Sequence, residues 1–378
     1  MKQKIYTGYN SYKKIYYILK ELTPKKIFLV TGKKSYFLSG AKNLLSEFTN
    51  KYNYFRFYDF ETNPKLKDLI NGINIFNREK CDFVIGVGGG SVMDIAKSIS
   101  LLATQKGNLE EFIKEKVPLK RREIPSIVIP TTAGTGSEST HFSVIYINKT
   151  KHSLAHNSLL PDYIILDPVF TENLPTYITA CTSMDALCQA IESFWSTKST
   201  DESRMYSKQA IELIMPNIIK NVNNPDRKSR EKMLIASNLA GKAINISKTT
   251  AAHSVSYPIT SFFNISHGHA VALTLPYFIE FNNDISLENI QDSRGIKFVK
   301  DGMNELFTML KVKTANEAKD KLLNIMKEIN LETKISKLGI NRNNIDIIIE
   351  NGFNPQRMKN NPKIVYKSDL EKLIAIIL

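Results

Sequence analysis

The first half of the chain alternates short apolar runs with stretches of helical periodicity. Strand-like runs rich in β-branched and aromatic residues occupy residues 26–31, 54–58, 83–87, 126–129 and 163–167. Helical patterns separate them at residues 41–50, 64–80 and 91–104, and an antiparallel pair is predicted for residues 141–147 with 153–156. Alternating strands and helices are typical of a parallel sheet covered on both faces.

The pattern changes after Asp167 and Pro168. From Leu174 onward, apolar residues recur at helical spacing through almost the whole remaining length. Helices are predicted at residues 178–196, 203–219, 227–245 and 269–282, with a turn-rich link at 221–226. The chain of 378 residues therefore predicts an α/β plus all-α protein. Its two domains are a Rossmann-like parallel-sheet domain at residues 1–170 and a helical, metal-binding domain at residues 171–378.

Composition narrows the class of protein. A hydrophobic fraction of 42% with 23% charged residues is that of a soluble globular protein. The three cysteines, Cys81, Cys181 and Cys188, lack C-x-x-C spacing, which indicates free thiols in a reducing compartment. Neither a signal-peptide pattern nor an apolar run of about 20 residues occurs, so we expect a cytoplasmic protein without a membrane partner. The net charge of +14 is dispersed and no nucleic-acid motif accompanies it, so we expect no nucleic-acid partner.

A run of glycines joins a predicted strand to a predicted helix. Gly88, Gly89 and Gly90 follow the apolar run, and Ser91 precedes the helical pattern. Glycines let the backbone approach a phosphate, and the first N–H groups of a helix attract anions. We expect Ser91 to cap the helix and contact a phosphate oxygen. A tight turn without a ligand is the alternative, because the pattern is not G-x-G-x-x-G.

A second loop, at residues 129–138, also follows a predicted strand. Thr131, Thr132 and Thr135 supply hydroxyl groups beside two glycines. This combination suits a ribose or a nicotinamide amide. A polar turn whose side chains bond to one another is the alternative reading.

Candidate metal ligands cluster in the second half. His253, His267 and His269 fall within one short stretch, and Asp185 and Gln189 stand four residues apart in an apolar helix. A carboxylate on a buried face is unfavourable unless a cation or a donor compensates it. A divalent metal bound by Asp185, His253 and His267 would do so, and mixed oxygen and nitrogen ligands suit Fe(II) or Zn(II). Each of these residues alone is more often a hydrogen-bonded structural residue.

Taken together, these motifs resemble the iron-containing (group III) alcohol dehydrogenases, relatives of glycerol dehydrogenase and dehydroquinate synthase. The resemblance covers essentially the full length, in order. It rests on residues 88–91, Asp94, Lys97, 129–138, 160–168, 184–186, 267–268, 275–276, 361–362 and 368–370. It implies a dehydroquinate synthase-like fold and a metal-dependent aldehyde reductase or alcohol dehydrogenase. The implied cofactors are NADPH or NADH and one divalent metal, and we expect a homodimer or larger homo-oligomer.

The resemblance also implies roles for individual residues. Asp185, His253 and His267 become metal ligands and part of the catalytic site. The family usually has His at the position of Gln189, so the fourth ligand is either the weaker amide oxygen of Gln189 or a water molecule. It often has His where Tyr257 stands, which makes the phenol a candidate proton donor. The implied cofactor-binding residues are Gly32, Asn63, Gly88, Gly89, Gly90, Ser91, Asp94, Thr131, Thr132, Thr140 and Lys151.

The choice between the two dinucleotides depends on the end of the strand at residues 26–31. NAD-preferring members of the family tend to place an Asp there, next to the ribose 2′-hydroxyl. This chain has Thr31, Gly32, Lys33 and Lys34 instead, so no carboxylate would repel a 2′-phosphate. The sequence thus favours NADPH. A solvated lysine pair is the alternative reading.

A narrower resemblance concerns the substrate. Residues 185–195, 199–204, 251–260 and 265–276 are similar to one branch of the family, which reduces phosphonoacetaldehyde to 2-hydroxyethylphosphonate. The expected partner is therefore a small aldehyde, best matched by a phosphonate. Another short-chain aldehyde or diol is the nearest alternative. Two alternatives come from other classes of protein. A dehydroquinate synthase-like lyase is disfavoured because the Glu metal ligand of that family is missing from this sequence. A non-catalytic nucleotide-binding protein is disfavoured because it would not need Asp185, His253 and His267.

Overall fold

The computed structural model describes residues 3–148 and 150–378. The chain divides into two compact units, the first ending at Leu174 and the second beginning at Pro175. In the described part of the chain, no helix combines the length and apolarity that crossing a bilayer requires.

The first unit is built on a parallel sheet. The strands are β1 (Lys4–Thr7), β2 (Ile27–Thr31), β3 (Tyr54–Phe57), β4 (Phe83–Gly88), β5 (Ser126–Pro130), β6 (Phe142–Ile147), β7 (Thr150–Ala155) and β8 (Tyr163–Leu166). Six of those described form one sheet in the order β1-β8-β5-β4-β2-β3, with every neighbouring pair parallel. β6 and β7 pair antiparallel. The predicted sheet and antiparallel pair are confirmed. Sequence patterning missed β1, a partly exposed strand at the sheet edge.

Helices cover both faces of this sheet. They are α1 (Lys14–Leu22), α2 (Ser35–Leu38), α3 (Ala41–Leu44), α4 (Ser46–Lys51), α5 (Leu66–Arg78), α6 (Gly90–Leu102) and α7 (Leu109–Ile113). β2 shows the consequence, since Phe28 and Val30 belong to one buried cluster while Ile27 and Leu29 belong to the other. The single helix predicted at residues 41–50 is wrong, because α3 and α4 are separated at Leu45.

The second unit is helical throughout its regular structure. Its helices are α8 (Thr176–Trp195), α9 (Asp201–Ile214), α10 (Ile218–Asn223), α11 (Arg227–Ser247), α12 (Ala251–Phe263), α13 (His267–Asn283), α14 (Ile296–Leu310), α15 (Ala315–Glu328), α16 (Ile345–Gly352), α17 (Pro355–Met358) and α18 (Lys367–Ile377). The helix predicted at residues 203–219 is wrong as one element. Pro216 lies between α9 and α10, and its missing N–H and its ring disfavour a continuous helix. α10 also includes the first half of the link predicted at residues 221–226.

Helix α8 lies at the centre of the second unit. It packs against α9, α11 and α13, and almost every side chain from Thr179 to Trp195 is buried. A helix that is buried all round normally carries apolar residues alone. The buried carboxylates on α8 therefore need partners, and these partners lie in the candidate metal centre.

Candidate metal centre and nucleotide-binding loops

The glycine run forms a tight connection between β4 and α6. Gly89 is the N-cap, and the helix begins at Gly90. A Cβ on Gly88 would lie 2.4 Å from Val92 Cγ2, and one on Gly90 would lie 2.9 Å from Thr135 Cγ2. Packing alone therefore requires glycine at both positions, while the N–H groups of the first helical turn are of the type that binds phosphate.

Ser91 does not cap helix α6, so that prediction is wrong. The helix starts at Gly90, two residues earlier than a Ser91 cap requires, which places Ser91 inside its first turn. Its Oγ accepts a hydrogen bond from the Asn63 N–H at 3.3 Å. Asn63 has φ of 60°, a left-handed conformation that Asn tolerates better than most residues. The segment after β3 thus adjoins the glycine loop.

The loop after β5 also lies against the glycine loop. The Thr131 N–H donates to the Gly88 carbonyl at 3.0 Å, and Thr132 Cγ2 lies 3.4 Å from the position of a Cβ on Gly89. Gly32 directly follows β2, and Lys151 lies on β7 opposite Tyr146. Thr131 and Thr132 are therefore close to the glycine run, whereas Lys151 belongs to the separate antiparallel pair.

Asp94 and Thr140 belong to a buried network around Lys97. The Lys97 ammonium donates to the carbonyl oxygens of Ser137 and Phe142, each at 2.7 Å, and to Thr140 Oγ1 at 3.1 Å. Asp94 accepts a 2.7 Å hydrogen bond from Ser137 Oγ. Burial lowers the pKa of Lys97 to about 8, and the nearby Asp94 opposes this shift. Asp94 and Thr140, both predicted to bind the cofactor, therefore hold the polypeptide after β5 in place. Sequence reasoning noted Lys97 only as part of a motif.

Three polar side chains lie along one face of α8. Asp185, Gln189 and Glu192 are spaced by four and three residues, which places them on successive turns of the same face. Their exposed fractions are 3%, 4% and 0%. Sequence reasoning identified the first two and missed Glu192. Its signal was present, since Glu192 is an acidic residue seven positions after Asp185 in the same apolar helix.

Glu192 connects α8 to the start of α12. Its Oε1 accepts hydrogen bonds from the Thr250 N–H at 3.0 Å, Thr250 Oγ1 at 2.7 Å and the His253 N–H at 3.2 Å. Its Oε2 is hydrogen-bonded to His253 Nδ1. Burial acts to raise the pKa of Glu192, but His253 and Thr250 outweigh it and lower that pKa. An ionised Glu192 makes Nδ1 the protonated nitrogen of His253.

The other nitrogen of His253 faces Asp185. His253 Nε2 lies 3.5 Å from Asp185 Oδ1, and neither atom has a hydrogen-bond partner among the described residues. In the neutral imidazole with its proton on Nδ1, Nε2 would present a lone pair to a carboxylate oxygen. Burial acts to lower the pKa of His253, but Glu192 and Asp185 outweigh it and raise that pKa to about 10. The pocket therefore favours a positive charge between Nε2 and Asp185.

His267 completes a set of ligand atoms suited to a metal ion. It is the first residue of α13, and ligand atoms of Asp185, His253 and His267 all lie within 4.8 Å of one another. Gln189 Oε1 is buried without a hydrogen-bond partner in the described chain. Two imidazoles, a carboxylate and an amide oxygen fit a divalent transition metal such as Fe(II) or Zn(II). These residues therefore fit the metal that the sequence predicts.

Two other predicted residues surround this cluster. The Tyr257 ring stacks on His267, with centroids 6.0 Å apart and an interplanar angle of 22°. His269 is engaged elsewhere, because its Nε2 hydrogen-bonds to the Glu332 carbonyl at 2.7 Å and its Nδ1 lies 3.3 Å from the Tyr177 hydroxyl. Tyr257 thus adjoins the ligand set, whereas both nitrogens of His269 contact other residues.

Comparison with known proteins identifies solved structures of the same fold. A solved structure of sulfoacetaldehyde reductase from Bifidobacterium kashiwanohense, in complex with NAD+, superposes with a TM-score of 0.88. It is 28% identical, and the alignment covers 99% of this chain and 96% of that one. The alcohol dehydrogenase from Oenococcus oeni gives a TM-score of 0.89 at 26% identity, covering 99% and 98% of the two chains. The predicted fold class is confirmed.

Sequence comparison identifies the family. The NADPH-dependent butanol dehydrogenase of Clostridium saccharobutylicum is 31% identical over 375 residues, which cover 95% of this chain and 93% of that protein. The family model for iron-containing alcohol dehydrogenases matches residues 2–168, and that for the C-terminal part of the Fe-containing family matches residues 179–378. The chain belongs to the iron-containing alcohol dehydrogenase family.

Proposed function

We propose that this protein catalyses metal-dependent, NAD(P)H-linked reduction of a small aldehyde to a primary alcohol, with phosphonoacetaldehyde as substrate. The observation that carries the proposal is the buried approach of Asp185 Oδ1 to His253 Nε2 at 3.5 Å, with His267 beside them. Without a cation or a proton, this arrangement is unfavourable in a buried site. A divalent cation satisfies it and supports carbonyl chemistry.

The residues of the second unit have separate roles in this proposal. Asp185, His253 and His267 would hold the cation, with Gln189 as the fourth ligand, and Glu192 orients the His253 ring. When bound, the cation would polarise the aldehyde oxygen and the reduced nicotinamide would supply the hydride. We assign the proton transfer to Tyr257, because its phenol ring stacks on a residue of the ligand set.

The residues of the first unit bind the dinucleotide in this proposal. Gly88, Gly89, Gly90 and Ser91 would contact the pyrophosphate, and the threonines after β5 would contact the nicotinamide and its ribose. Gly32, Asn63, Asp94 and Lys151 would complete this part of the site. NADPH is favoured over NADH because the segment after β2 has no carboxylate. The butanol dehydrogenase relative supports this choice, since it is NADPH-dependent.

The proposed substrate combines an aldehyde with an anionic group. Sulfoacetaldehyde and phosphonoacetaldehyde both place a tetrahedral anion on the carbon next to the carbonyl, so the sulfoacetaldehyde reductase neighbour supports this chemistry. A phosphonate also needs cationic or N–H partners. Lys248 is the candidate in the second unit, at the end of α11, and Lys151 is the candidate in the first.

The test measures oxidation of NADPH and NADH by the Fe(II)-loaded and the Zn(II)-loaded protein. Phosphonoacetaldehyde, sulfoacetaldehyde and butyraldehyde are compared at equal concentrations. We expect the highest kcat/KM with phosphonoacetaldehyde and NADPH. Equal or greater kcat/KM with butyraldehyde would reject the phosphonate assignment and favour an alcohol dehydrogenase for uncharged short-chain aldehydes, as the butanol dehydrogenase relative suggests.

The metal assignment has its own test. Asp185→Asn and His267→Ala should each abolish turnover and remove the bound metal, measured by elemental analysis after gel filtration. Asp301→Asn is the matched control, because this Asp side chain is 60% exposed and pairs with Lys297 on the surface of α14. Full metal content in both ligand variants would reject the assignment.

A further inference from the structure

Arg56 reaches from β3 to the end of β2. Arg56 pairs with Leu29 in the sheet register, and its Nε donates to Thr31 Oγ1 at 2.8 Å. Its Nη2 donates to the carbonyl oxygens of Gly32 at 3.2 Å and Lys33 at 3.4 Å. Nη1 donates to none of the residues that the structure describes. The guanidinium therefore holds the turn after β2 on one side and has two N–H groups available on the other.

Aromatic rings fix the direction of this guanidinium. Its central carbon lies 4.5 Å from the ring centroid of Tyr58, 4.6 Å from that of Tyr36 and 5.0 Å from that of Phe37. Contacts within about 6 Å of a ring face attract a cation and restrict its rotamers. The partly buried charge of Arg56 is also screened less by salt than that of an exposed lysine. Arg56 is therefore a preorganised cation.

The position of Arg56 matches one part of a dinucleotide. β2 pairs directly with β4, the strand that leads into the glycine run, and parallel strands end at the same edge of a sheet. Neighbouring strands lie about 4.8 Å apart. The adenosine ribose is joined to the pyrophosphate, so a pyrophosphate at the glycine run brings that ribose next to the end of β2. The threonine loop after β5 lies on the opposite side of β4.

The charges at this turn favour an additional phosphate. Residues 31–35 contain no carboxylate, and both Lys33 and Lys34 are exposed. We propose that Arg56 binds the 2′-phosphate of NADPH through Nη1 and is the main determinant of preference for the phosphorylated dinucleotide. This inference rests on the proposed function, because it assumes a dinucleotide on the glycine run. A charge-assisted hydrogen bond from a guanidinium held in place is directional, whereas the flexible lysines supply only screened charge.

The experiment compares Arg56→Gln and Arg56→Lys with the unaltered protein. Calorimetry measures binding of adenosine 2′,5′-bisphosphate and of adenosine 5′-monophosphate, and steady-state kinetics give KM for NADPH and NADH. Losing hydrogen bonds to a charged group weakens binding by about tenfold to a hundredfold. We expect that loss for the bisphosphate and for NADPH with Arg56→Gln, and a smaller loss with Arg56→Lys. Affinity for the monophosphate and KM for NADH should change by less than about threefold.

Arg78→Gln is the matched control, since Arg78 lies at the exposed end of α5 and its side chain is 66% exposed. It should leave all four values unchanged. Equal losses for phosphorylated and unphosphorylated ligands in Arg56→Gln would overturn the proposal, because they would show that Arg56 only holds the turn. Unchanged bisphosphate binding would overturn it as well. If the protein reduces no aldehyde but Arg56→Gln still loses the bisphosphate selectively, the inference stands and the proposed function fails.

Discussion

Glu192 and His253 form a buried pair in which the carboxylate contacts Nδ1 and leaves Nε2 directed at Asp185. This relationship determines which imidazole nitrogen can act as a metal ligand. Histidine ligands in proteins usually donate their second N–H to a carboxylate or a carbonyl, which fixes both the tautomer and the ring orientation. Glu192 is therefore placed to orient His253 in the candidate metal centre.

Replacing Glu192 should weaken metal binding while the fold remains intact. In Glu192→Gln, the amide no longer enforces the Nδ1–H tautomer, so affinity for Zn(II) should fall by about tenfold to a hundredfold. Competition with a chromogenic chelator measures this affinity. In the NMR spectrum of the Co(II)-loaded protein, the hyperfine-shifted resonance of the exchangeable Nδ1 proton of His253 should also disappear. Glu305→Gln is the control, because this partly exposed residue forms a surface ion pair with Arg204. Unchanged affinity in Glu192→Gln would contradict the assigned role.

Gln189→His tests whether the amide oxygen is a ligand. An imidazole nitrogen is a stronger donor to Zn(II) than a neutral amide oxygen, so the substitution should raise Zn(II) affinity by about tenfold and raise Mn(II) affinity less. Both affinities can be obtained by competition titration. Gln189→Leu should instead lower the affinity for both ions. Equal affinities in all three proteins would show that residue 189 does not contact the metal.

Lys97 should make the stability of the first unit depend on pH. Its pKa is lowered from 10.5 to about 8, so the unfolded chain binds more protons than the folded chain between these values. The contribution of Lys97 is therefore most unfavourable below pH 8, and stability should rise with pH through this window, by at most about 1.4 kcal/mol per unit. Chemical denaturation at several pH values can compare the unaltered protein with Lys97→Met.

The difference between these two proteins isolates the Lys97 contribution, since other titrations largely cancel. Lys106→Met is the control because Lys106 is exposed. Relative to the Lys106 variant, Lys97→Met should lose the rise in stability between pH 8 and 10. The same slope in both variants would show that Lys97 is not the responsible group.

Adjacent residues of the glycine run should respond differently to substitution by alanine. At Gly88 a Cβ would lie 2.4 Å from Val92 Cγ2, so Gly88→Ala should lower the free energy of unfolding by about 1–3 kcal/mol. At Gly89 the nearest atom is 3.4 Å away and φ is −82°, so Gly89→Ala should change stability little. Urea denaturation measures both. A larger loss in Gly89→Ala than in Gly88→Ala would contradict this packing analysis.

Patterning predicted most of the fold because buried strands and amphipathic helices have distinct periodicities. The failures have local causes. β1 is a partly exposed edge strand with little apolar signal, and Pro216 divides a pattern whose apolar spacing continues across it. Serine commonly occupies the cap position, which favours Ser91 from sequence alone, but the helix begins at Gly90.

The candidate site was predictable where a residue type implies its chemistry. Asp185 and the histidines stand out because ionisable groups in apolar helices need partners. Glu192 was missed, although its spacing from Asp185 signalled the same buried face. Arg56 could not be found from patterning, because its importance depends on which strand lies beside β3. That neighbour is fixed by sheet topology, and local sequence carries no information about it.

The ligand set draws on α8 and, much later in the chain, on the consecutive helices α12 and α13, and α13 packs against both of the others. An ion bound there would act as a cross-link that the unfolded chain cannot form, so its binding energy would add to the cooperativity of the helical unit. Removing the ion with a chelator should then lower the temperature at which the helices around α8 melt. Metal supply would thereby govern the lifetime of the folded protein as well as its chemistry.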